Sequence, residues 1–200
     1  MVKEVLQWYG AMVEKALDRA MPREDCPQRE VFEACRYSLL AGGKRIRPCL
    51  LLEFYRLCGG NPQDVLAFAC GLEMIHTYSL IHDDLPCMDN DDYRRGRPSN
   101  HKVYGVGMAT LAGDALLTRA FEVMLSQDRI PPEQAMKAAA YIAGCSGVYG
   151  MIGGQVQDLA LEKQRANEAQ LTRMVDGKTA ALLRAACVGG CLLAGGEEAQ

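Results

Sequence analysis

Residues 73–98 read E-M-I-H-T-Y-S-L-I-H-D-D-L-P-C-M-D-N-D-D-Y-R-R-G-R-P, and the opening residues of this stretch continue an apolar run that starts near Pro62. The run lacks the two-residue alternation of a half-buried strand and has the length of a helix. It brings Asp83 and Asp84 to the helix C-terminus, where the dipole disfavours negative charge. With Asp89, Asp91 and Asp92, five aspartates fall within ten residues. They repel one another unless something positive lies between them. Pro86 should break or kink the helix and let Asp89 fold back towards Asp83. Hard carboxylate oxygens suit Mg²⁺, which keeps several waters and commonly bridges to substrate phosphates. A solvated acidic loop is the plainer reading of such a run. Emergence from an almost wholly apolar helix favours a site.

Two basic segments accompany the acidic one. G-G-K-R-I-R-P places Lys44, Arg45 and Arg47 just before a helix expected to open at Pro48. The glycines permit close backbone approach, and a helix N-terminus adds free N–H groups. The G-x-x-x-x-G-K-[ST] pattern of a P-loop is absent. Arg94, Arg95 and Arg97 follow two residues or more beyond the last aspartate, and guanidinium geometry matches phosphate. An internal salt-bridge network competes with that reading, Arg97 being its clearest candidate. His76 lies two helical turns before Asp83 on nearly the same face; by itself it reads as a core histidine, as do His82 and His101.

Outward from this centre the pattern is helical throughout. Apolar residues recur at three- and four-residue steps from Glu4 to Ala20. Further helices are expected over 28–40, 48–57, 62–84, 107–126, 132–150 and 168–193. Residues 152–161 form either a turn or a continuation of the preceding helix, and 86–101 form a polar loop. The glycine pairs 42–43 and 59–60 mark helix ends. No repeat or low-complexity segment interrupts the chain. The fold class is all-α, a single helical-bundle domain over residues 1–200.

Composition narrows the partners. The 200 residues are 49% hydrophobic and 24% charged, with a formal net charge of −3. That excludes a global electrostatic case for nucleic acid. Nine scattered cysteines without a C-x-x-C pair read as reduced, in a cytoplasmic protein. The longest uncharged apolar stretch, 185–196, is too short to span a bilayer, so no membrane insertion is expected.

Residues 73–102 resemble the first aspartate-rich region of the trans-isoprenyl diphosphate synthases. The D-D-x₄-D spacing is similar to that of the bacterial farnesyl diphosphate synthases. G-G-K-R-I-R-P, L-A-G-D-A-L-L, G-M-I-G-G-Q-V-Q-D-L and G-K-T-A-A-L resemble family segments in family order. The resemblance implies an isoprenoid synthase bundle with a central apolar cavity. It also implies condensation of isopentenyl diphosphate with a dimethylallyl or geranyl diphosphate, and a homodimer formed through helices such as 107–126. Asp83 and Asp89, helped by Asp84, would hold Mg²⁺ (or Mn²⁺). Lys44, Arg47, His76 and Arg95, with Gly43 beside them, would bind isopentenyl diphosphate. Arg94 would bind the allylic diphosphate, and Lys178 and Thr179 would reach it near its reacting carbon. Gln155 and Asp158 would line the cavity. Tyr78 and Ser79, about 6–7.5 Å down the helix from Asp83, would form a floor that favours a C15 product, C20 being the alternative. Tyr78 also sits about 140° round the helix from Asp83, which would direct it into packing.

One family feature is missing. No adjacent aspartates occur after Asp92, so the second D-D-x-x-D motif is absent from these residues. The chain therefore reads as shortened at its C-terminal side, with little synthase activity by itself. The competing reading is a non-catalytic or regulatory subunit of a synthase dimer, which would have no need of the aspartates and arginines. A terpene cyclase would share the metal chemistry but would not use Lys44 and Arg47.

Overall fold

A computed structural model describes residues 2–22, 25–162 and 165–196. Its elements are α1 (Val2–Ala20), α2 (Arg29–Leu39), α3 (Ile46–Leu57), a 3₁₀ turn (Pro62–Val65), α4 (Leu66–Asp83), β1 (Tyr93–Arg94), β2 (Arg97–Pro98), α5 (Asn100–Tyr104), α6 (Val106–Leu125), α7 (Pro132–Ser146), α8 (Met151–Leu161), α9 (Glu168–Val175), a π-helical turn (Asp176–Ala180) and α10 (Ala181–Leu193). Apart from the two-residue strands, the regular structure among the described residues is helical. The elements group into two compact units, Met1–Cys49 with Leu66–Ser126 and Leu50–Val65 with Gln127–Gln200.

The first unit is organised around α4. This helix is apolar on every side, as a helix surrounded by protein must be. Eleven of its residues are buried, from Phe68 to Ile81. Its partner α6 meets it with small residues: Ala109, Ala112, Gly113 and Ala120 are all buried. Gly71 of α4 lies so near α6 that a Cβ there would stand 2.9 Å from the Ala120 carbonyl oxygen. Lower on the same seam, the His82 ring occupies the space above Gly113, with Nε2 3.0 Å from the Thr110 carbonyl. Helix α1 adds Tyr9, Val13 and Leu17 at helical spacing. By length and composition the segment Pro62–Asp83 is long and apolar enough to cross a membrane, although Glu73 interrupts its uncharged run. Two-thirds of its most apolar window is buried inside the protein, as expected of a core helix.

In the second unit α10 packs on α7, where Gly189 faces Ile142 at 3.5 Å. Gly190 meets the backbone of α3, the Leu51 oxygen lying 2.6 Å from its Cβ position. A Cβ added at Gly177 of the π turn would stand 2.8 Å from the Gly154 Cα of α8.

Several boundaries differ from expectation for identifiable reasons. Helix α3 opens at Ile46 rather than Pro48, because the Cys49 N–H bonds the Arg45 carbonyl at 3.0 Å. Pro48 is still within the first turn, where a missing N–H costs no helical bond. The expected loop 86–101 contains a hairpin, with Tyr93 opposite Pro98 and Arg94 opposite Arg97. Its turn residues, Arg95 and Gly96, have φ of +54° and +75°, a primed two-residue turn. An arginine in that conformation carries little sequence signal. Residues 168–193 are helical throughout, with the π turn at Asp176–Ala180 joining α9 to α10, and 151–161 is helical.

The α4–α6 seam gives a stability test. Gly71→Ala should destabilise the protein by about 1–3 kcal/mol, since its methyl meets backbone as well as the Met124 side chain. Gly10→Ala, in the middle of α1 with open space around it, should stabilise by about 0.5–1 kcal/mol. Urea denaturation of both variants checks the contrast.

Candidate active site

The aspartate-rich loop does fold back on the end of α4. The Asp89 N–H donates to the Asp83 carbonyl at 2.9 Å, while the N–H groups of Met88 and Asn90 donate to Leu85 at 2.8 and 3.1 Å. Asp83 is half-buried and Asp89 exposed. The loop therefore brings these two residues together, as their spacing suggested. Asp84 has a different environment. It is buried at 2% exposure and paired with Arg94, whose Nε donates to Oδ1 at 2.8 Å and whose Nη2 also contacts that oxygen. Burial raises the Asp84 carboxyl above its ordinary pKa against the pull of Arg94. The same hydrogen bond raises Arg94 above its own. Two residues expected at a metal and at a phosphate are thus bound to each other. A helix turns about 100° per residue, and the Asp84 N–H still bonds the Leu80 carbonyl just past the end of α4, so the adjacent Asp83 and Asp84 cannot face the same way. The last two acids serve the hairpin: Asp91 lies 3.4 Å from Arg94 Nη2, and Asp92 pairs with Lys102 at 2.6 Å.

Beside this loop lies an open cleft of about 500 Å³, lined by Ala41, Gly43, Lys44, Arg45, Ile46, Arg47, Glu73, His76 and Arg95. Its rim is a run of unusual backbone. Gly42 and Gly43 have φ of +79° and +137°, and Arg45 has +49°. Gly43 is further restricted by the hairpin, because a Cβ would stand 2.8 Å from Arg95 Nη1, which donates to the Gly42 carbonyl. Lys44 is exposed and Arg47 half-buried. The Arg47 Nη1 lies 3.4 Å from His76 Nε2, while its buried Nε has no hydrogen-bond partner among the described residues. Burial lowers the pKa of Arg47. Burial first, and Arg47 next, push the His76 imidazole down to about 3, so the ring is neutral at ordinary pH.

Arg45 departs from the expected cationic cluster. It is 3% exposed and points inward, where Nη1 donates to Glu73 at 2.5 Å, Nε to Glu14 at 2.7 Å and Nη2 to the Leu39 carbonyl at 2.7 Å. Glu14 and Glu73 carry no sequence signal for this role; α1 and α4 had to be packed before the pair could be seen. Arg97 stacks over the Tyr37 ring at 4.2 Å, an internal role that the sequence left open.

Tyr78 is buried, edge-on to His82 at 5.7 Å between ring centres, and its hydroxyl has no partner among the described residues. Ser79 bonds the His76 carbonyl at 2.8 Å. In the second unit, Lys178 pairs with Asp158 at 2.5 Å where Gly154 lies against the Lys178 backbone. Thr179 is exposed and Gln155 half-buried.

No group of three His, Cys, Asp or Glu side chains among the described residues could hold a metal unaided. Asp83 and Asp89 are the carboxylates that would hold a magnesium ion here, an ion that commonly takes its remaining oxygens from water and phosphate. The adjoining cleft fits the anion. It is lined by Lys44, Arg47 and Arg95, and its one carboxylate, Glu73, is already paired with Arg45.

Residues 28–200 match the family model described as polyprenyl synthetase. The chain is 44% identical over 201 residues to the farnesyl diphosphate synthase of Geobacillus stearothermophilus, covering all of this chain and 67% of that one. It is 49% identical over 193 residues to geranylgeranyl pyrophosphate synthase 3, chloroplastic, of Arabidopsis thaliana, covering 94% of this chain and 53% of that protein. Against most of these curated relatives the chain spans about half of their length. Among solved structures, an FPP/GFPP synthase from Zymomonas mobilis superposes with a TM-score of 0.92 at 35% identity, covering 98% of this chain and 71% of that one. The chain belongs to the polyprenyl synthetase family and has the all-α isoprenoid synthase fold.

Proposed function

We propose that this protein serves a short-chain prenyl diphosphate synthase reaction, in which the double bond of isopentenyl diphosphate attacks an allylic diphosphate as its pyrophosphate departs. The observation that carries this reading is Arg47, which lines a cleft with Lys44, Arg95 and a neutral His76 and whose buried Nε has no hydrogen-bond partner among the described residues. An unmade charged hydrogen bond of this kind is costly unless a ligand completes it. A diphosphate supplies the oxygens.

Arg47 is always protonated and donates, so its approach to His76 Nε2 makes that nitrogen the acceptor and leaves Nδ1–H to donate. His76 would therefore contact phosphate as a neutral hydrogen-bond donor. Lys44 and Arg95, on the two loops of the rim, would hold the outer oxygens. This fixes isopentenyl diphosphate by its head and leaves its double bond to be aimed by the apolar surroundings. Asp83 and Asp89 would hold Mg²⁺ together with phosphate oxygens, and the bound ion would supply the charge that helps the allylic C–O bond break. Arg94, anchored through Asp84, stands next to these carboxylates. No side chain is required as the final base if the departed pyrophosphate takes the proton. Lys178 and Thr179 are read as contacts to the allylic substrate, and Gln155 as lining its cavity. We read the assembly as a homodimer and the product as C15, with Tyr78 as the floor; the C20 relatives make longer chains the competing outcome.

Binding is the property expected of these 200 residues, because they contain one aspartate-rich motif. Isothermal titration with isopentenyl diphosphate should show Arg47→Ala weakened by about 10–100-fold, the equivalent of one lost charged hydrogen bond. Asp83→Asn should leave that affinity intact and remove the Mg²⁺ dependence of allylic diphosphate binding. Equal affinity of Arg47→Ala and the parent overturns the reading.

His76 also predicts a pH dependence. Its folded pKa of about 3 lies below the ordinary value of about 6.5, so between these pH values the unfolded state binds a proton that the folded state does not. Its contribution is present above pH 6.5 and is lost as the pH falls towards 3. His76→Gln should flatten the fall between pH 7 and pH 4 by on the order of 1–3 kcal/mol in denaturation experiments.

Tyr78→Ala should move preference from farnesyl towards geranylgeranyl diphosphate in competition binding. An unchanged ratio removes Tyr78 as the floor.

A further inference from the structure

Arg45 lies between two residues assigned to phosphate, yet every one of its guanidinium nitrogens is directed into the protein. Nη1 reaches Glu73 on α4, Nε reaches Glu14 on α1, and Nη2 reaches the carbonyl of Leu39, the last residue of α2. Glu73 is 2% exposed. An ionised carboxylate at that depth needs a cation in contact with it. On α4 it precedes His76 by one turn, so the two side chains are neighbours on the same face. Arg47, already 3.4 Å from His76, feels the field of Glu73. Arg95 feels it too. The cleft thus contains a buried anion that competes with any diphosphate for the same cations.

We infer that Arg45 is a positioning residue that saturates Glu73 and so leaves Arg47 free to bind diphosphate. The backbone at Arg45 is left-handed, and from it the side chain reaches Glu73 and Glu14. The site is cationic towards solvent because its own anion has been satisfied from beneath. This inference rests on the reading of the cleft as a diphosphate site.

The test is a double-mutant cycle on the whole chain, with inorganic pyrophosphate as the titrant and melting temperature recorded in parallel. Arg45→Leu should bind pyrophosphate about tenfold more weakly or worse, as Arg47 is drawn onto Glu73. Arg45→Leu/Glu73→Leu should recover to within about threefold of the parent, because the competing anion is gone and apolar replacement of a buried pair is often tolerated. Arg45→Lys, which keeps a cation against Glu73, should bind like the parent. A role in folding alone predicts that the double variant binds no better than the single one. That result, in a double variant that melts like the parent, overturns the inference, as does parent-like binding by Arg45→Leu. If the parent chain itself fails to bind pyrophosphate, the proposed function falls, and the crystal structure of Arg45→Leu decides the inference separately. Arg47 found against Glu73 supports it; Arg47 still beside His76 overturns it.

Discussion

Helix α4 has to be enclosed by protein along most of its length and still end in carboxylates. That requirement explains the partner it has. A helix that is apolar all round can be covered closely only by neighbours that let backbones approach, and α6 supplies Ala109, Ala112, Gly113 and Ala120 along the seam. The close approach holds α4 in place as it emerges, so that Asp83 and the folded-back Asp89 come together at its end. His82, filling the space above Gly113, extends the same packing to the last turn. The acidic end of α4 is therefore positioned by how tightly two helices meet along the seam before it.

Charge is distributed by depth. The buried charges are paired: Asp84 with Arg94, and Arg45 with Glu73 and Glu14. These pairs stitch the loops of the site to α1, α2 and α4. The half-buried and exposed charges, Lys44, Arg47, Arg95, Asp83 and Asp89, surround the cleft and the loop end. Low dielectric surroundings make the distinction strict, because an unpaired buried ion is costly whereas one at a cleft mouth is partly solvated. His76 adapts in the other way available to a titratable group, by staying neutral under burial and the nearby arginines.

Family membership and the site geometry support each other without being the same argument. The comparisons concern the whole sequence, and relatives named for farnesyl and for geranylgeranyl products are of similar closeness. The geometry concerns a few side chains, and it separates residues that the motif treats alike. Asp83 and Asp84 are adjacent letters of one motif, but one is half-buried at the loop and the other is committed to Arg94. Arg45 and Arg47 belong to one basic run, but Arg45 is committed to Glu73 and Glu14 whereas Arg47 lies beside His76.

The sequence by itself determined the helical class, the course of α4, the return of Asp89 to Asp83, and the clustering of basic residues on either side of α4 in the chain. Each of these follows from local rules: apolar periodicity, a proline stop, glycine pairs and charge clustering act over a few residues. Tertiary structure alone decided which charges are consumed internally. The pairing of Arg45 spans 31 residues to Glu14 and 28 to Glu73, and no local pattern reports it. The hairpin turn at Arg95 and Gly96 was hidden for a related reason, since Arg95 is tied to Gly42 across 53 residues. Ion pairing depends on distance in space and on dielectric surroundings, and both exist only once the helices have packed.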